Sequence, residues 1–406
     1  MAYEFGIDEP LADGASRIAR EQLAAALGWL AVAVDDGSDG SRGSDGSQGG
    51  SQPGADADHA EDQVTAFVAG EVDEDAPVEV AVHEARKCCK RIRGLVRLFR
   101  PAMEDDYQDI NRLTRDAARE LSGIRDAHAL LATFDILVAT HSDQVPEGGV
   151  SDIRGALVTR AEQATQDVSH NHERVMRASD LLRQARDASM SWPLADLDGD
   201  ELDEAVIGGV AKTASRGRGR FREVVELDGH PSDELLHQWR KRVKYSWYHL
   251  SLLEPTAPSL LGAHADTLHD LADVLGDDHD LAVLAHDLRE VPDEFGERSA
   301  VRPMLVVVDG VRRDLQRRAV ALGARIHAEE PDALGRRLVA LHTAATRHGP
   351  ELSAGEIDDL FDVADALGER TNGELRELAR ARDIAGRSRL DRAGLLAALR
   401  AAGAAT

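Results

Sequence analysis

Lysine is nearly absent from this chain: five occur in 406 residues, at positions 87, 90, 212, 241 and 244, and every other cation is arginine. Cysteine is scarcer still. The two present, Cys88 and Cys89, are adjacent, and neighbouring side chains on a helix point apart, which argues against a structural disulfide. Aromatic residues make up 4% of the chain, and the apolar/polar alternation of a half-buried strand is rare. No run approaches the ~18 consecutive apolar residues of a membrane span. The N-terminus also lacks the basic, apolar, small-residue order of a secretory signal. These absences predict an all-α, cytoplasmic protein that does not engage a membrane.

Negative charge is what the chain has in excess. Acidic residues outnumber basic ones 74 to 48, for a formal charge of -26. Taken alone, that balance argues against a polyanionic partner. An acidic, lysine-poor surface suits a cytoplasm of high salt, where carboxylates hold water and ions. The composition therefore predicts a halophilic source, and the acidity becomes a matter of solubility. Four of the five lysines nevertheless fall within two short segments.

Apolar residues recur at helical spacing almost everywhere. Helices are expected over about 11–34, 78–100, 104–122, 126–141, 150–188, 200–227, 232–254, 258–275, 278–291 and 297–328. Pro101, the glycines at 148–149, Pro193, Gly229 with Pro231, and Pro255 with Pro258 separate them. Residues 35–62 are rich in Gly, Ser and Asp and cannot bury enough surface to order themselves, which predicts a disordered insertion.

An internal repeat lies in the basic segments. VHEARKCCK (82–90) and LHQWRKRVK (236–244) share His, Arg-Lys and Lys at identical offsets. A leucine-rich, Asp-bearing segment follows each: LSGIRDAHALL (121–131), with Asp126 43 residues after His83, and LADVLGDDHDLAVL (271–284), with Asp278 41 after His237. At ~100° per residue, His83, Arg86, Lys87, Lys90, Arg93, Gly94 and Arg97 share one side of the first helix, with Arg91 on its flank. In the second, His237, Arg240, Lys241, Lys244 and Tyr248 face one way, and Trp239, Val243, Leu250 and Leu253 the other. Arg242 falls near the apolar side, where it snorkels outward or meets an acid. Like charges along one stripe repel, and bound anions relieve that repulsion. Arginine offers bidentate forks for phosphate oxygens, lysine a mobile point charge, and imidazole a donor that gains charge as pH falls.

The segments VHEARKCCKRIRGLVRLF with LSGIRDAHALL, and LHQWRKRVKYSWYHL with LGDDHDLAVL, resemble the two halves of the CHAD (conserved histidine α-helical domain) family. The opening EPLADGASRIAREQLAAAL (9–27) and the run RGRGRFRE (216–223) fit its pattern too. The resemblance covers about residues 7–328. It implies two pseudo-symmetric four-helix bundles around a basic groove that binds inorganic polyphosphate without catalysis, often at polyphosphate granules. Residue by residue it carries over His83, Arg86, Lys90, Arg91, Arg93, His237, Arg240, Lys241 and Lys244. Lys87 and Arg97 join them from the helical wheel, and Arg216 and Arg220 as an extension of the groove. Trp247 stands where the second half usually has arginine, so the first half is expected to hold the ligand more strongly.

Other constellations carry weaker signals. Asp126 and Asp278 are read as helix-starting caps. The run Asp277, Asp278, His279, Asp280 leaves a metal-dependent phosphohydrolase as an alternative, and His83, His128, His237 and His279 could share a metal if the fold gathers them. No Ser/His/Asp set, GxxxxGK[ST] loop or HExxH helix occurs, so no catalytic residue, metal or cofactor is expected. Arg312, Arg313, Arg317 and Arg318 are candidate contributors to anion binding. Beyond a helical connector at 329–371, residues 372–403 resemble the helix-extended-helix module of the Rho N-terminal region and of SAP-like domains. That likeness implies contact with nucleic acid; a helical-hairpin contact with protein is the alternative.

Overall fold

Apolar spacing dictates the first element. Leu11, Ala15, Ile18, Ala19, Leu23, Ala26 and Leu30 recur three or four residues apart and are all buried, one face of helix α1 (Leu11–Asp35). The structure is a computed structural model that describes residues 3–35, 78–146, 149–166, 168–227, 231–296, 298–349, 370–382, 384 and 390–401. The 35–62 insertion lies, after Asp35, outside the described residues. Among those residues there is no strand, and no helix is long and apolar enough to cross a membrane.

Helix α2 (Val78–Leu98) buries Ala81, Ala85, Cys88, Ile92, Leu95 and Val96. Both cysteines are free. Burial pushes the Cys88 thiol up to about 11 and the Cys89 thiol to about 12. The chain breaks at Phe99 and restarts at once as α3 (Arg100–Glu120), with Pro101 in the first turn, where a missing N–H is harmless. Helix α4 (Ser122–Thr140) follows α3 directly. Its N-cap position is Leu121, so Asp126 lies in the second turn and does not begin the helix. The stretch expected as one helix over 150–188 is α5 (Val150–Gln166) and α6 (Val168–Ser189), with residue 167 outside the described residues.

The second half opens with α7 (Gly199–Glu226). Its N-cap Asp198 accepts from the Glu201 N–H while Glu201 reaches back to the Asp198 N–H, a reciprocal capping box. Ser232 caps α8 (Asp233–Leu253). Where two helices were expected, over 258–275 and 278–291, there is one, α9 (Pro258–Glu290). Asp278 is therefore a mid-helix residue and not a cap. Gly276 lies inside the run, and its missing Cβ leaves room for the Arg240 guanidinium of α8. Helices α10 (Arg298–Ile326) and α11 (Pro331–His348) complete this unit, which clusters as Met1–Gly349. Helix α11, within the stretch read as a connector, packs on α7.

Helices α1, α2, α3 and α6 pack pairwise, as do α7 with α8 and α11, and α8 with α9. A single continuous apolar core runs through both groups, from Phe5 and Ile18 to Trp239 and Leu338. A second core joins the hairpin of α4 and α5 to the far part of α9 and the start of α10, around Phe134, Leu284, Phe295 and Met304. Gly209 on α7 marks a backbone crossing: a Cβ there would lie 1.8 Å from the Leu98 carbonyl oxygen. That approach seats α7 beside the end of α2.

The other unit, Pro350–Thr406, contains α12 (Asn372–Ala381) and α13 (Arg392–Ala401). Thr371 and Glu374 form a capping box at the start of α12. Leu375 and Ala379 meet Leu395 and Leu399 in a small core. Residues 385–389, the middle of the expected extended segment, lie outside the described residues.

Candidate functional site

The two basic helices meet inside the larger core. His249 on α8 is 1% exposed and donates from Nε2 to the Gly94 carbonyl of α2 at 3.1 Å. The Tyr3 hydroxyl donates to the Arg91 carbonyl at 2.7 Å, and its ring meets Tyr248 edge-on at 5.7 Å. Tyr248, read from the wheel as part of the cationic side, is instead buried at this junction. Lys87, also read as part of the cationic side, is buried too, 9% exposed with Nζ 3.7 Å from Glu84 of its own helix. The strip where α2 meets α8 cannot also face a ligand.

Beside that junction, cations from four helices converge. Arg97 lies over the Tyr245 ring at 3.9 Å and donates to Asn111 Oδ1 at 2.7 Å. Arg93 donates to the same oxygen at 3.3 Å and lies 5.9 Å from the Tyr245 centroid. Arg100 covers Tyr107 at 4.5 Å. Aromatic faces and one amide thus hold three guanidinium groups without neutralising them.

The perturbed pKa values report the crowding. Burial, with Arg93, Arg242 and Arg119 behind it, pulls the Lys241 ammonium down against the opposing pull of Glu234. Burial first, then Arg216, does the same to Arg242. Arg100 is the leading cause of the lowered value at Lys212, followed by burial and Arg216. Among the described residues, Arg93, Arg97, Arg100, Lys212, Arg216, Lys241 and Arg242 have no carboxylate within 4.0 Å. Arg242 has neither met an acid nor turned away. It joins the cationic field of Arg216 and Arg220.

The remaining expected residues occupy distinct places. Arg86 donates from Nη1 to the carbonyls of Leu121 and Ser122, at 3.2 and 3.1 Å, closing the end of α3. The Arg240 guanidinium packs over Gly276 of α9, where a Cβ would lie 3.0 Å from its Nη2. Both contacts span 36 residues. With Ser122 and Gly276 as counterparts, the counterpart of Asp126 is Asp280, 43 residues after His237, and not Asp278. His83 places Nε2 3.9 Å from Glu84, Lys90 is half-buried, and Arg91 covers Tyr3 at 5.7 Å. His237 stacks on His279 at 4.7 Å. Burial, Lys241, His279 and Arg240 pull the His237 imidazole down to about 4. Lys244 lies over Trp247 at 5.2 Å. Arg216 and Arg220 are exposed on α7, and Arg220 is paired with Glu223 at 2.5 Å.

Asp278 belongs to another structure altogether. It is 1% exposed and accepts from Arg312 Nε at 3.1 Å and Gln316 Nε2 at 2.8 Å. Arg312 also reaches Asp233. This buried network ties α8, α9 and α10 together and removes Arg312 from the candidates for anion contact. Arg313 donates to the Asp309 carbonyl and Arg317 pairs with Asp314. Among the described residues, no group of three or more His, Cys, Asp or Glu is placed to hold a metal ion.

Sequence reasoning missed Tyr107, Asn111 and Tyr245, and with them Arg100 and Lys212. Tyr107 and Asn111 stand four apart on α3, a spacing that shares a face. Two uncharged polar residues carry no signal until the arginines they hold are known.

The CHAD domain family model matches residues 57–289, more than half of the chain. A comparison with curated proteins and one with solved structures found no match.

Proposed function

We propose that this chain, which belongs to the CHAD family, binds inorganic polyphosphate without catalysing its breakdown. One observation carries the reading: seven cations from α2, α3, α7 and α8 share a field without a carboxylate partner among the described residues, in a chain of net charge -26. Clustered like charges destabilise the fold unless an anion meets them. A linear polyanion with one charge per phosphate fits a field spread over four helices better than a single phosphate does.

The equal spacing of the Arg86–Ser122 hydrogen bond and the Arg240–Gly276 packing contact supports a duplicated architecture, two related halves on either side of a basic groove. Arg93, Arg97, Lys241 and Arg242 line the groove where the halves meet, and Arg100, Lys212, Arg216 and Arg220 extend it. Direct contacts dominate at high salt, where the Debye length falls to ~3 Å at 1 M. Guanidinium forks preset on Tyr245, Tyr107 and Asn111 give such contacts with little ordering left to do. This reading places the protein in the cytoplasm, at polyphosphate granules where they form.

Titrating the full chain with long-chain polyphosphate while assaying free orthophosphate tests both parts. Saturable binding with an unchanged orthophosphate level is expected. Absence of binding would overturn the polyphosphate reading, and steady orthophosphate release would overturn its non-enzymatic part.

A further inference from the structure

Away from the basic field, the second half of the molecule encloses a cavity between α7, α8, α9 and α11. The space open to the centre of a water molecule is about 20 Å³, enough for one or two waters. Leu250 and Leu334 form apolar wall, and His249, His264, His327 and Ser246 contribute polar groups; Arg218 and Glu329 also reach it, each already in an ion pair, with Glu330 and Arg337.

Hydrogen bonds outside the cavity fix the protonation of all three rings. His249 Nε2 faces the Gly94 carbonyl, which only accepts, so Nε2 bears the hydrogen and Nδ1 the lone pair. His264 Nδ1 faces Arg337 Nη2 at 3.2 Å, which only donates, so Nδ1 accepts and Nε2 bears the hydrogen. His327 Nε2 accepts from the Trp239 indole at 3.1 Å. Burial keeps each ring neutral, with His249 down at about 3 and His327 at about 4. Two nitrogens are left over. His249 Nδ1, an acceptor, and His264 Nε2, a donor, are buried without a hydrogen-bond partner among the described residues.

We propose that this cavity is a binding site for a hydroxyl group, from water or a small alcohol, that donates to His249 Nδ1 and accepts from His264 Nε2. A hydroxyl both donates and accepts; an ammonium would find one acceptor, and an anion one donor. The rings are neutral, and the two charged side chains at the cavity are committed to Glu330 and Arg337, so neither kind of ion meets a ready counter-charge. The bound hydroxyl also stabilises the His249 tautomer that donates to Gly94, and so the contact between α2 and α8. The inference is independent of the polyphosphate reading.

A high-resolution crystal structure of the full chain grown without alcohols, and a second from a crystal soaked in ethylene glycol, test the site. An oxygen within hydrogen-bond distance of both nitrogens in the first crystal identifies water. An oxygen there in the soaked crystal alone identifies the alcohol as the occupant. An empty cavity in both would overturn the proposal. In solution, a double-mutant cycle of His249→Leu and His264→Leu reads the same bridge. The two shifts in denaturation midpoint are expected to be non-additive, and strict additivity would contradict a shared hydroxyl. If His249→Leu fails to fold, long-range ¹⁵N spectra of the wild-type imidazoles replace the cycle. A hydrogen-bonded Nδ1 on His249 is expected, and a free one would overturn the proposal.

Discussion

Helices α2 and α8 carry the same His-Arg-Lys-Lys pattern and use it differently. On α2, Arg93 and Arg97 are held by Asn111 and by tyrosine faces. Helix α8 supplies the Tyr245 ring beneath Arg97 and adds cations of its own, Lys241 and Arg242 in the shared field and Lys244 over Trp247. The anchors differ as well. Arg86 reaches carbonyls at the end of α3, whereas α8 is tied to its neighbours through the buried carboxylate of Asp278. The two copies of the motif thus differ in what holds their charges, while both contribute cations to the shared field.

The largest expected effect separates the anchors. Arg312→Leu leaves the Asp278 carboxylate buried without its cation, and should lower unfolding stability by about 3–5 kcal/mol. Arg86→Leu removes hydrogen bonds to carbonyls from a charged donor and should cost about 1.5–3 kcal/mol. Urea denaturation of both variants orders them, and equal losses would erase the distinction. The next effect is on ligand. Arg93→Glu with Arg97→Glu should weaken polyphosphate binding by about a hundredfold, as two contacts of ~1.4 kcal/mol each are lost. Lys244→Glu alone should weaken it less than tenfold. A reversed order would move the stronger half to α8.

Tyr245→Leu should reduce affinity about three- to tenfold, in line with loss of an arginine-ring contact of ~1 kcal/mol. Tyr245→Phe, which keeps the ring, should match the wild type. The smallest effect is on pH. The free His237 imidazole, held down at about 4, is neutral at pH 7, and a bound polyanion raises it. Binding then takes up a proton, so affinity rises as pH falls through the bound value. The gain ends near pH 4, where the free ring is also protonated. Calorimetry in buffers of different ionisation heat measures that uptake, and His237→Gln should abolish it.

The all-helical class, the buried faces of α1 and α2 and the repeat were all legible, because each rests on spacing along one helix. What joins helices was not. The continuous α9 was misjudged at Asp277 and Asp278, acids that suggest a helix start when no partner is in view; Arg312, 34 residues beyond Asp278, is that partner. Lys87 and Tyr248 looked cationic or open on a wheel, which shows direction but not what lies there. Arg242 looked misplaced until α7 supplied Arg216 and Arg220 beside it.

The central claim is that Arg93 and Arg97 of α2 and Lys241 and Arg242 of α8 meet one chain of phosphates. The most direct test is the salt dependence of polyphosphate affinity for the wild type and for Arg93→Gln with Lys241→Gln. Each phosphate contact contributes roughly 0.7–0.9 to the slope of log K against log salt by analogy with nucleic-acid strands. The double variant is therefore expected to bind more weakly with a slope shallower by about 1.5. An unchanged slope and affinity would contradict the account.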